Sequence, residues 1–99
     1  MADLAKVEID LSKLSGKERD KAILRTGIMA ELEAINLYEQ MASMAGNELI
    51  RQALLEIARE EKTHVGEFLS LLTEIDREQA EELKKGEAEV RELREKLSS

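Results

Sequence analysis

Two glutamates and the only histidine of this 99-residue chain fall where a helical core should carry aliphatic side chains. One row runs Leu24, Ile28, Glu31, Ile35, Tyr38, Ala42, Ala45; a second runs Ile50, Leu54, Ile57, Glu61, His64, Phe68, Leu71, Ile75. Steps of four and three residues alternate without a break, so each row lies along one face of a helix. An isolated carboxylate taken out of water costs on the order of several kcal/mol unless something neutralises it. A metal ion is the neutraliser these residue types fit, since mixed carboxylate and imidazole ligation suits iron, manganese or zinc.

The spacing brings the three groups together without any long-range assumption. Glu31 lies fifteen residues before Gly46 and Glu61 fifteen after it. If the chain reverses at Gly46, both carboxylates stand about 22 Å from the turn on neighbouring antiparallel helices. His64 follows Glu61 by one helical turn on the same face. The result is half of a carboxylate-bridged di-metal centre of the kind built inside four-helix bundles, which needs a Glu from each of two helices and a Glu-x-x-His from each of the other two. Two copies about a two-fold axis supply the whole set. Four carboxylates then balance two divalent ions, with the histidines neutral.

The elements that must position these groups are helices. The chain has no proline, a single Phe and a single Tyr, no Trp, and 37% charged residues, a composition that favours long helices over sheet. Residues 1–14 read as a flexible arm, with Val7, Ile9 and Leu11 alternating. Ser15-Gly16-Lys17-Glu18 has the spacing of a capping box, and a helix follows to about Ala45, with Gly27 marking a close helix approach. Gly46 suits a left-handed turn and Asn47 a helix cap. The second helix ends near Leu72 or Thr73, completing an antiparallel hairpin over 15–75. In residues 76–99, Asp76 caps a short helix that Gly86 interrupts. Val90, Leu93 and Leu97 then form a narrow apolar stripe, as expected of an extension that docks on a neighbouring subunit. The fold class is therefore all-α: a two-helix hairpin plus short C-terminal helices. With so little aromatic filler the core of one copy is thin, which favours an oligomer.

The bulk numbers exclude several function classes. A net charge of −7 opposes nucleic acid and anionic membrane surfaces. It concentrates small cations instead. The absence of cysteine rules out thiolate zinc sites, iron–sulfur clusters and thiol nucleophiles. No stretch reads as a membrane span or a signal peptide, so the expected location is cytoplasmic.

The strings Ala30-Glu31-Leu32-Glu33-Ala34-Ile35-Asn36-Leu37-Tyr38 and Arg59-Glu60-Glu61-Lys62-Thr63-His64 resemble the ferritin-like di-iron superfamily. Within it they are most similar to the encapsulated ferritins, half-length two-helix members that work inside encapsulin shells. The resemblance covers roughly residues 20–97. It implies a ferroxidase that oxidises Fe(II) with dioxygen for mineralisation and storage, at a centre of two irons per dimer. Glu31 and His64 would be terminal ligands, Glu61 would bridge the irons, and Tyr38 would hydrogen-bond to the carboxylates. It also implies a homo-oligomer built as a ring of dimers, such as a decamer, within an encapsulin nanocompartment.

Two departures from the family pattern stand out. Relatives can carry acidic residues for accessory metal sites; Ala30 stands where one would lie, and Glu33 is the accessory candidate that remains. Members usually carry a shell-targeting peptide or are fused to the shell protein, whereas this sequence reads Leu97-Ser98-Ser99 at its end. Two other classes fit the same residues. One is a non-catalytic helical assembly module stapled by a structural metal; the other is a peroxide-consuming di-metal protein.

Overall fold

A computed structural model describes residues 15–99 as three helices, with no strand among them. Helix α1 runs Gly16–Met44, α2 Glu48–Ile75 and α3 Arg77–Ser98. The expected arm at 1–14 lies outside the described residues. No described helix is long and apolar enough to cross a membrane.

The ends of the helices show which local signals act. Asn47 caps α2 as expected, its side chain accepting from the backbone N–H of Ile50 at 3.0 Å, a contact typically worth about 1 kcal/mol. Ser15 precedes α1, but its hydroxyl makes no capping bond. Glu18 turns outward to Lys21 at 3.2 Å instead of closing the capping box. Gly46 does not adopt a left-handed conformation either, and no described glycine has a positive φ. The chain reverses through extended backbone at Ala45 and Asn47.

Helix α2 continues to Ile75, a little past the expected end. Asp76 alone separates it from α3 and caps that helix, accepting from the N–H of Gln79 at 3.0 Å. Gly86 does not interrupt α3, which is one continuous helix of 22 residues rather than short pieces. Gly86 has nothing within 4 Å of a would-be Cβ, so the turn around it stands open on the side where a substituent would lie. A glycine in a helix interior costs only about 1 kcal/mol, less than the flanking Glu, Lys, Ala and Leu residues return as good helix formers.

Helices α1 and α2 pack along their length, while α3 touches only α2. The tightest seam of the hairpin lies at Ile35, Ala42, Ala58 and Leu72, all buried. Small residues at Ala42 and Ala58 let the backbones approach. Ile50, Ile57 and Leu71, which the apolar row placed in a core, are exposed in the single chain. The physical reason is simple: along most of its length each helix of the hairpin is covered only by the other, so it buries a narrow stripe and leaves the rest of a bundle-type face open. Asp76 closes the open end of the hairpin. Its carboxylate is 8% exposed and receives Arg25 Nη2 from α1 at 2.6 Å.

Candidate metal centre

Glu31 lies at the middle of α1, and Glu61 and His64 at the middle of α2. The hairpin brings all three together. His64 Nδ1 is 3.4 Å from Glu31 Oε2 across the helices and 3.6 Å from Glu61 Oε2 one turn back on its own helix. One ligand atom from each residue lies within 4.8 Å of the others. Carboxylate and imidazole ligands around one ion of ordinary bond length, about 2.0–2.2 Å, fall within such a sphere.

The side chains of Glu31 and Glu61 are 18% and 20% exposed, so two acids share a restricted space. Glu31 Oε2 is buried without a hydrogen-bond partner, the only such side-chain atom among the described residues. Buried polar atoms in native proteins are nearly always satisfied, and an orphan invites a missing ion or water. The residues present therefore fit a metal: the acceptor-only oxygen needs a positive partner, and the donor set is the one a divalent first-row ion takes.

His64 is 44% exposed, and its exposure defines the open side of the site. It sits in a stripe that recurs every seven residues along α2, namely Ile50, Ile57, His64 and Leu71. Of these, the three aliphatic members are exposed. On α1, Ile23, Leu37 and Met44 repeat the seven-residue spacing and are exposed as well. His64 therefore opens the site onto an apolar surface, while Glu31 and Glu61 are largely covered between the two helices.

Tyr38 and Glu33 stand apart from the triad. Tyr38 is half-buried on α1, two turns beyond Glu31, and makes no hydrogen bond to either carboxylate within the chain. Glu33 is also half-buried but lies outside the cluster of potential ligands. Two contacts had little or no local signal in the sequence. The Arg25–Asp76 pair joins residues 51 positions apart. The Phe68 ring presses on Gly27, for which the only hint was a glycine inside a long helical pattern.

A helical hairpin that presents two glutamates and a Glu-x-x-His histidine at mid-height is a ferritin-like arrangement, and the chain belongs to the rubrerythrin family, whose model matches residues 22–98. Rubrerythrin-type domains bind iron. The chain is 55% identical over 85 residues to the ferritin-like–encapsulin shell fusion protein of Pyrococcus furiosus. That match covers 86% of this chain but 25% of the relative, so the chain spans about a quarter of that protein's length. The crystal structure of the encapsulated ferritin domain from Pyrococcus furiosus matches with a TM-score of 0.78 at 50% identity, over 88% of this chain and 94% of that one. The resemblance to encapsulated ferritins carried by the two motifs is borne out, as is the all-α fold.

Proposed function

We propose that two copies of this chain join their Glu31–Glu61–His64 faces to form a di-iron ferroxidase centre, oxidising Fe(II) with dioxygen for iron storage. The observation that carries this reading is the orphaned, buried Oε2 of Glu31 facing His64 and Glu61 on an open apolar face. One protomer offers three ligands and leaves the histidine half in solvent. A second protomer supplies the other three and covers Ile57, Leu71 and Leu37, which a lone hairpin leaves in water.

The arrangement of the two hairpins follows from where the acids lie. Because Glu31 and Glu61 are mid-helix, a two-fold axis through the site can run perpendicular to the helices. It would then lay the apolar tip of one hairpin, with Met44 and Ile50, along the open end of the other. That end carries a pocket lined by Ile23, Leu24, Leu71 and Ile75 together with the acids Asp20 and Glu74. Antiparallel neighbours also oppose their helix dipoles favourably.

Iron is here the substrate, each Fe(II) giving up an electron to dioxygen and leaving as Fe(III). The residues of the chain hold and neutralise it. Glu31 and His64 act as terminal ligands and Glu61 as the bridge, so that four carboxylates offset two divalent ions across the dimer. Tyr38 donates its hydroxyl to a carboxylate when the second copy is in place. The net charge of −7 draws cations toward the molecule. Helix α3, with Val90, Leu93 and Leu97 exposed, joins dimers into a larger ring. The likeness to a ferritin-like–encapsulin fusion protein supports work inside an encapsulin shell.

The test is addition of Fe(II) under argon followed by air, read by ferric absorbance and oxygen consumption. Rapid oxygen-dependent oxidation, abolished by Glu31→Ala, Glu61→Ala or His64→Ala in protein that remains helical, supports the reading. Wild-type rates in the triple variant refute it, and so does a metal-loaded assembly that is inert to oxygen.

A further inference from the structure

Gly27 and Phe68 form the layer next to the triad, and their fit is the closest any glycine of the chain makes. A Cβ built on Gly27 would lie 3.0 Å from Cζ of Phe68 and 3.1 Å from both Cε1 and Cε2; the other four glycines have nothing within 4 Å. Gly27 stands one helical turn before Glu31 on α1, and Phe68 one turn after His64 on α2. Helical side chains lean toward the N-terminus of their helix, which is the side of Phe68 on which His64 lies. The far edge of the ring is meanwhile seated in the notch left by the missing Cβ.

His64 needs such a boundary. A metal-binding histidine is normally oriented by a hydrogen bond from its second ring nitrogen to a carboxylate or a carbonyl. Here no hydrogen bond holds either nitrogen among the described residues: Nδ1 faces the two carboxylates at 3.4 and 3.6 Å, and the side chain is 44% exposed. Packing must do what a hydrogen bond does elsewhere.

We infer that Gly27 and Phe68 are positioning residues of the metal centre: the notch at Gly27 seats the Phe68 ring, and the seated ring fixes the direction from which the His64 imidazole meets Glu31 and Glu61. The inference rests on the proposed metal centre and names what aims its one nitrogen ligand. A methyl group at position 27 makes the ring give way by a few tenths of an ångström. The displaced ring moves off α1 and turns the imidazole with it.

The experiment is titration of the full chain with Co(II), reading affinity and the visible absorption bands that report coordination geometry. Wild type, Gly27→Ala, Phe68→Ala and the double variant Gly27→Ala/Phe68→Leu are compared, with far-UV circular dichroism as the control for folding. Gly27→Ala is expected to weaken Co(II) binding by at least about tenfold and to shift the bands at unchanged helicity. Leucine at position 68 restores both, because a flexible side chain accommodates the new methyl group. Phe68→Ala, which leaves the imidazole unbounded, weakens and shifts them as well. Wild-type affinity and spectrum in Gly27→Ala overturn the inference, as does a double variant no better than the single one. If Gly27→Ala fails to fold, wild-type binding by Phe68→Ala overturns it alone. Failure of the wild type to bind Co(II) refutes the metal centre itself, and so separates the two readings.

Discussion

Glu31 and His64 meet across the hairpin with 3.4 Å between carboxylate oxygen and Nδ1, and that buried oxygen has no hydrogen bond. On the function proposed above, an acid in that position serves what binds to it rather than the fold. In the metal-free protein, replacing Glu31 by Leu should therefore stabilise the hairpin, by about 1 kcal/mol or more. Thermal unfolding in the presence of a chelator checks this. A lower melting temperature for Glu31→Leu would mean that the carboxylate is satisfied as it stands.

Metal and assembly should be linked. Binding that needs ligands from two copies stabilises the dimer by mass action. Chelation should then lower the melting temperature and raise the monomer fraction at low protein concentration, and Fe(II) or Zn(II) should reverse both. Native mass measured with and without chelator gives the answer. A mass indifferent to metal would leave the triad with no role in joining subunits.

The open face carries its own prediction. Leu71 lies one heptad beyond His64, exposed in the single chain and lining the pocket at the open end of the hairpin. Leu71→Asp should yield a helical monomer that has lost ferroxidase activity although all three ligands are intact. Complementary truncation after Asp76 should remove larger assemblies while leaving the dimer and its activity. Light scattering with the oxidation assay distinguishes the two surfaces. Full activity in a monomeric Leu71→Asp protein would contradict a shared centre.

Asp76 predicts an acid limb of stability. The backbone N–H of Gln79 holds its carboxyl below the ordinary value of 3.8, with the charges of Lys21 and Arg25 adding to the effect and burial opposing it. The folded state thus favours the ionised form more than the unfolded chain does. That contribution is complete above the ordinary carboxylate range and disappears as pH falls through the depressed folded value. Asp76→Asn keeps a good helix cap but removes the titrating charge. It should melt lower than wild type at neutral pH, with the gap closing below about pH 4. Parallel losses for the two proteins on acidification would place the linkage elsewhere.

Much of this was legible in the sequence, for reasons that differ between its parts. Glu31, Glu61 and His64 were readable because a helix face has a fixed period and a hairpin equates distances from its turn. Three polar groups at one height follow from counting alone. Asn47 and Asp76 as caps were readable because capping is local. Ser15 and Gly46 show the limit of the same reasoning. A cap or a left-handed turn is permitted by residue type, but it is selected only where the chain direction demands it, and here extended backbone sufficed. Gly86 does not break α3, because a single glycine is a small penalty within a segment of strong helix formers.

The division of the apolar rows into a seam and an open face was not legible. Periodicity tells which residues share a face, but not which neighbour covers them. Ile57 and Leu71 of the second row are exposed, while Ala58 and Leu72, one position off that row, are buried, a distinction set by the packing partner. The clamp between Arg25 and Asp76 was hidden for the same reason, since no spacing rule links residues so far apart in the chain.

The central claim is that two copies share a pair of irons between Glu31, Glu61 and His64. Its most direct measurement is anomalous scattering at the iron edge from crystals soaked anaerobically in ferrous salt. The account predicts two peaks per dimer, about 3.5–4 Å apart, each contacted by these side chains from both copies. Density confined to other acidic residues, or none between the triads, would contradict it.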